Sequence, residues 1–432
     1  MSESESASPG FQAWFTLALL WPVALLNYLD RQVLSTLQAS VGVDIAAVLD
    51  SQNFGRLMGI FLWIYGLMSP VSGLLADRFN RKHLIVGSLC VWSAVTLLMG
   101  LAHDFNQLYG MRALMGVSEA LYIPAALALI ADCHQGRTRS LAIGIHMTGL
   151  YCGQALGGFG ALAAGELSWR TTFQWLGLSG VIYSVVLALC LRERRVATVA
   201  VAAGFLTVLT GMRKSLGALF SIAAFGGILY YFAAPSAPGW VIKNWLPTLF
   251  GKFNPQTVRD LLPLAAGFSD AEIVSKVAKP LSTIVIAASA FAGVIGGGWM
   301  ADRWAQRNLR GRIYTGAIGL ALTIPALLAL GCGQSPAVAL AAAVLYGCGF
   351  GLFDANSMPI LCQFVPPRLR AAGYGFMNLI GVCAGALATE VMGQLDHAGK
   401  LAHGFAWLAV PVALAIALVL LLRPTTLNCT DS

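Results

Sequence analysis

A chain of 432 residues that is 57% hydrophobic and only 11% charged, with mean hydropathy +0.73, is not an ordinary soluble domain, because such domains carry about 25% charged residues. A membrane span needs about 20 apolar residues, so this length holds roughly a dozen spans with short loops and no large soluble domain. The net charge of +8 would suit nucleic acid only if the basic residues clustered on one surface, and they do not.

The opening MSESESASPG is short, polar and acidic, and reads as a disordered tail over residues 1–11, not as a signal peptide. Apolar runs of spanning length then fall near 12–38, 53–75, 83–102, 108–131, 141–164, 171–191, 216–250, 281–300, 313–332, 336–361, 373–394 and 405–422. The seventh run reads as broken at YYFAAPSAPGW, because its prolines and glycine free backbone groups that need protein or a water-filled cavity to satisfy them. These twelve runs predict an all-α membrane protein. It consists of an N-terminal six-helix bundle (12–192), a cytoplasmic linker (193–215), a C-terminal six-helix bundle (216–423) and a second tail (424–432). With the N-terminus in the cytoplasm, seventeen lysines and arginines lie on the inner side and eight on the outer. That is a positive-inside bias that places both termini in the cytoplasm. The basic balance is thus topology: the expected surroundings are a lipid bilayer, and nucleic acid is excluded as a partner.

The two halves repeat each other. GLLADRFNRK (73–82) after span two matches GWMADRWAQR (298–307) after span eight, and GVSEALYIP (116–124) in span four matches GLFDANSMP (351–359) in span ten. Parallel repeats of this kind build one large group of secondary transporters, with the site between the halves near the midplane.

Few ionisable residues fall inside the spans: Asp30, Arg31, Arg112, Glu119, His146, Asp354 and Glu390. The four in spans one and four together cost on the order of 10 kcal/mol on insertion scales unless they pair or face water. Asp30 and Arg31 are neighbours, about 100 degrees apart around a helix, so they need partners elsewhere. Arg112 and Glu119, seven residues apart, share a face of span four, which predicts Asp30 near Arg112 and Arg31 near Glu119. An ion network that only fixes helix packing is the alternative. As a site, the arginines would hold an anion through their forked donors, and the desolvated acids Asp30 and Glu119 would take and release protons. Weaker candidates for cargo contact are Tyr230, Tyr231, Trp240 and Asn244 in span seven, Gln154 in span five, Asp354 and Asn356 in span ten, and Asn378 in span eleven. Trp240 serves equally well as an interfacial anchor. Glu390 lies near the outer end of span eleven, where a hydrated location explains it.

GLYCGQALG (149–157) spaces glycines for close helix packing, and no strand or GK[ST] supports a nucleotide loop. The nine cysteines are scattered without metal-ligand spacing. No catalytic set is evident, so neither an enzyme nor a cofactor or metal site is expected. In the long outer loop, 251–279, Ser269 or Asp270 can cap a short helix.

The block G-x-L-x-D-R-x-x-R-K after span two resembles the signature loop of the major facilitator superfamily. This resemblance implies two bundles rocking about a central cavity lined by spans 1, 4, 7 and 10. It also implies a gating cluster of Asp77, Arg78, Arg81 and Lys82, with Asp302 and Arg303 in the second copy. NYLDRQVLS in span one and RALMGVSEA in span four resemble the anion:cation symporter branch, which carries hexuronates, sugar acids and sialic acid. By that resemblance Asp30 and Glu119 match the proton-coupling acids, and Arg31 and Arg112 the positions that engage the anion. ADRFNRK followed by WSAVT is also similar to the spinster branch, which moves lysolipids and sphingolipid phosphates. The expectation is a monomeric proton-coupled symporter of a small organic anion such as a sugar acid. A spinster-like lipid carrier, a proton-driven drug antiporter and, from another class, a receptor or enzyme are the alternatives.

Overall fold

The computed structural model describes residues 10–134, 138–192, 214, 216–333, 335–366 and 369–423; residues 1–9, 424–432 and nearly all of the linker 193–215 lie outside it. Every predicted span is a helix: α1 (Phe11–Thr36), α2 (Ser51–Arg78), α3 (Arg81–Met99), α4 (Phe105–Cys133), α5 (Arg139–Gly157), α6 (Trp169–Cys190), α7 (Ala223–Gly251), α8 (Lys279–Ala305), α9 (Gly311–Cys332), α10 (Pro336–Phe364), α11 (Arg370–His397) and α12 (Leu401–Leu421). Among the described residues, ten of these are long and apolar enough to cross a membrane by themselves. The other two, α5 and α7, are the ones whose apolar runs are diluted by His146, Gln154 and glycines, or by three prolines, Lys243 and Asn244.

The seventh span is not broken where its prolines stand. Pro235, Pro238 and Pro247 all lie inside the continuous helix α7, and the interruption falls earlier, at Ser221–Ile222. A proline inside a helix removes the hydrogen bond to the carbonyl four residues back. The carbonyl freed by Pro247 is that of Lys243, and Gln32 Nε2 of α1 donates to it at 2.8 Å. At Pro247 the helix thus borrows a donor from the other half.

Glycine sets how closely the helices approach. A Cβ added to Gly149 would lie 2.8 Å from the Trp21 carbonyl oxygen, and Gly153 and Gly157 continue the same stripe against Leu25, Leu29 and Gln32, so α5 lies on the backbone of α1. The two halves meet along two symmetric seams, α2 against α11 and α5 against α8, which is what a pseudo-two-fold repeat requires.

These seams are unequal at their two ends. On the far face, opposite the chain ends, Cβ atoms at Gly55 and Gly59 would meet Gly393 Cα at 3.0 Å and the Glu390 side chain at 2.7 Å. Trp63 Nε1 donates to Glu390 Oε1 at 2.9 Å, Ser51 Oγ to Asp396 Oδ2 at 2.5 Å, and Lys279 Nζ to the Thr36 carbonyl at 2.6 Å. His397 Nδ1 lies 3.0 Å from Asp50 Oδ1. Glu390 is therefore half-buried and bonded across the seam, not simply hydrated at a helix end. Toward the face that carries the chain ends, Asn378 Nδ2 donating to Ser69 Oγ is the one hydrogen bond between halves among the described residues. The molecule is shut on the far face and parted on the tail face.

Candidate functional site

Between the halves lies a cavity of about 420 Å³ that runs from mid-depth toward the tail face, within the ~300–1,000 Å³ usual for small-molecule sites. Tyr28, Arg31, Tyr65 and Ser69 line it from the first half, and Phe232, Trp240, Lys243, Phe350, Asp354, Tyr374 and Asn378 from the second. A side pocket of about 70 Å³ shares Tyr28, Lys243 and Asp354 and adds Tyr151, Gln154 and Tyr346.

Arg31 is the hinge between this cavity and a buried polar cluster. Its Nε donates to Glu119 Oε2 at 2.5 Å, and Asn27 Nδ2, one turn away on α1, donates to the same oxygen at 3.1 Å. The guanidinium carbon sits 4.6 Å from the Tyr65 ring centroid and 5.0 Å from those of Tyr28 and Phe61, so three aromatic faces hold the cation in addition to its carboxylate. Arg31 is 7% exposed and Glu119 0%; Glu119 thus meets the cavity through Arg31.

Of the two pairings expected from spacing, Arg31–Glu119 is present, whereas among the described residues no ion pair joins Asp30 to Arg112. Asp30 points instead toward α3, where its Oδ2 accepts from Thr96 Oγ1 at 3.3 Å. Arg112 lies over the Phe61 ring at 4.7 Å and donates from Nη1 to Met115 Sδ at 3.2 Å. Asp30 Oδ1, Glu119 Oε1, Arg31 Nη2, Arg112 Nε and Asn27 Oδ1 are buried without a hydrogen-bond partner among the described residues. Native interiors leave few such atoms, and five of them lie together in this cluster.

The secondary candidates divide. Asp354, Asn378, Trp240 and Gln154 do line the cavity or its side pocket. Tyr230 does not: it faces outward, 37% exposed, with its hydroxyl 3.4 Å from the Pro411 carbonyl. Tyr231 is buried against Phe353 at a centroid distance of 5.3 Å. Asn244 donates to Thr389 Oγ1 of α11 at 3.1 Å, and Asn356 to the Leu352 carbonyl of its own helix at 2.8 Å. Tyr231, Asn244 and Asn356 are packing residues and Tyr230 faces outward, because their helices turn those faces away from the cavity.

At the tail face, Arg81 pairs with Asp132 at the end of α4 and donates to the Ala128 carbonyl at 3.3 Å. Lys82 is half-buried beside it at the start of α3. Asp302 pairs with Arg312 at 2.7 Å, and Arg303 lies over the Trp299 ring at 5.6 Å. The side chains of Asp77 and Arg78 lie outside the described set. Sequence reasoning missed Asn27, Asp132 and Lys243. The signal for the first was its i, i+4 spacing to Arg31. For Lys243 it was a lysine three residues after Trp240 inside an apolar run, counted instead as an outer flank.

Two repeated bundles around a largely aromatic cavity that carries a few charged groups and is sealed at one face define a multi-pass membrane transport protein. The model of the Major Facilitator Superfamily matches residues 20–389 and again 267–427, and the chain belongs to that superfamily. It is 25% identical, over the whole of both chains, to the 3-(3-hydroxy-phenyl)propionate transporter of Escherichia coli K12. It is also 23% identical to the D-galactonate transporter of Escherichia coli O6:H1, covering 96% of this chain and 95% of that one. With human protein spinster homolog 1 it shares 32% over 43% of this chain and 35% of the relative. A solved bacterial homolog of the human lysosomal transporter spinster, in an inward-facing and occupied conformation, superposes with TM-score 0.72 over 94% of this chain and 96% of that one, at 20% identity. That likeness is one of fold.

Proposed function

We propose that the protein is a proton-coupled symporter that carries a small organic anion into the cell by alternating access. The observation that carries this reading is the buried Arg31–Glu119 pair at the cavity wall, with Arg31 Nη2 uncommitted. When Glu119 takes a proton, its hold on Arg31 weakens and the guanidinium is free to bind an anion bidentately. When the proton leaves, Glu119 reclaims Arg31 and the anion is released. Asp30, set behind the pair on α1, is the second acid of the relay.

The names of the full-length relatives support an anionic cargo, since hydroxyphenylpropionate and galactonate are both carboxylates. The walls favour one with an apolar or aromatic body as much as a sugar acid, because Tyr28, Tyr65, Trp240, Phe350 and Tyr374 surround the space. With the tail face as the cytoplasmic one, as the lysine and arginine distribution supports, the closed far face is external and the cavity opens inward. Arg81, Lys82 and Asp132, with Asp77, Arg78, Asp302 and Arg303, then act as the cytoplasmic gate. Each copy contains both halves of the site, so a monomer suffices.

A second reading, a lysolipid carrier, is favoured by the same apolar walls and by the likeness to spinster homologs. Reconstituted protein in proteoliposomes with an imposed inward proton gradient separates the two, using 3-phenylpropionate, D-galactonate and a lysophospholipid as cargoes. Accumulation of a carboxylate that collapses with a protonophore is the expected result. Transport of the lysolipid alone, or carboxylate uptake indifferent to the gradient, overturns the symporter reading.

A further inference from the structure

The second half contributes a cation to the cavity that the arginine network does not use. Lys243 lines both the main cavity and the side pocket, with its ammonium 4.7 Å from the Trp240 ring centroid and 5.4 Å from that of Tyr28, one ring from each half. Among the described residues its ammonium donates no hydrogen bond and makes no ion pair. An ammonium has three donors, and cation–π contact with two rings satisfies none of them. Its backbone is fixed independently by Gln32, which donates to the carbonyl that Pro247 releases. The side chain is thus presented from a pinned point on the helix.

Asp354 is the acid that answers it. It lies at the repeat position of Glu119 and lines the same cavity and side pocket as Lys243. The two are nevertheless not in ion-pair contact among the described residues. In the first half the corresponding acid grips its arginine at 2.5 Å; in the second, acid and base both line the cavity without such a contact among the described residues.

We propose that Lys243 is the anchor for the carboxylate of the cargo in the second half, that Asp354 is its resident counter-charge in the empty cavity, and that a bound aryl carboxylate lies over Trp240 and Tyr28. This rests on the reading of the cavity as an organic-anion site. It adds that Lys243 holds the cargo's charge from the second half, while Arg31, once protonated Glu119 releases it, holds that charge from the first and links it to the proton. The cargo carboxylate and Asp354 compete for one ammonium, so removing Asp354 strengthens binding.

The test is equilibrium binding by calorimetry to full-length protein in nanodiscs, with 3-phenylpropionate and its uncharged amide as probes. Lys243→Met is expected to weaken the acid by about 30-fold, the loss of one charge-assisted hydrogen bond, while the amide changes by less than about twofold. Lys243→Arg restores most of the acid's affinity, which separates loss of charge from misfolding. Asp354→Asn is expected to tighten the acid by about threefold to tenfold as a competing charge is removed, and to do nothing in the Lys243→Met background. A Lys243→Met protein that still prefers acid over amide as the wild type does overturns the anchor, and leaves the symporter reading intact. A wild type that binds no organic anion overturns the symporter reading itself.

Discussion

The same helix is put to opposite uses in the two halves. In the first half, α4 carries Arg112 and Glu119 into a buried ion cluster. In the second, the repeat position of Arg112 is Gly347, whose missing Cβ lets α10 lie directly on Ser289 and Ala290 of α8. Gly351 continues that contact to Ala290, Gly293 and Val294. One half therefore spends its central helix on charge held in low dielectric, and the other on backbone packing. In the second half Asp354 and Lys243 line the cavity, and Glu390 is bonded into the far seam. The two bundles repeat one another in outline, but the first keeps a buried ion cluster on its fourth helix where the second keeps a glycine packing face.

The largest expected effect comes from unbalancing the first half. Glu119→Ala leaves Arg31 buried without its carboxylate, and should lower stability by about 3–5 kcal/mol and abolish proton-driven uptake. The double variant Glu119→Gln with Arg31→Met should regain most of that stability without regaining uptake, as read from denaturation in detergent and from proteoliposome flux. Recovery of uptake in the double variant would erase the functional asymmetry between the halves. Next comes the wall: Gly347→Ala forces α8 and α10 apart and should cost about 1–3 kcal/mol by overpacking, seen as a lowered melting temperature. A neutral result would show that the second half is not as tightly packed as its glycines indicate. The smallest effect is at Asp354, where replacement by asparagine should change stability by no more than about 0.5 kcal/mol, as for substitutions away from packed features.

Much of this was legible in the sequence, for reasons that differ by residue. The helices follow from apolar runs because lipid leaves the backbone no partner but itself. Arg31 and Glu119 were visible because a charge in such a run is costly enough to demand an explanation. The faces of α7 were not visible. That helix is apolar nearly all round, so nothing in its pattern distinguishes Tyr230, which points outward, or Tyr231 and Asn244, which pack, from Trp240 and Lys243, which line the cavity. Its prolines suggested a break at 230–240, yet the helix runs on through Pro235 and Pro238; at Pro247 the donor that meets the freed carbonyl, Gln32, is 211 residues away along the chain. Asp30 was assigned to Arg112 on helical spacing alone, which fixes depth in the membrane but not which neighbouring helix a side chain faces; it turns to α3.

The glycine contacts that shut the far face carry a consequence for how the molecule moves. Gly55 and Gly393 touch backbone to backbone, with no long side chain between them to stretch or lean as the halves separate. Contact attraction of this kind fades over a fraction of an ångström to about one ångström of separation. The glycine contact is therefore the first to let go as the halves part, while the hydrogen bonds of Trp63 and Lys279 across the same face sit on longer side chains that can follow the movement before they break.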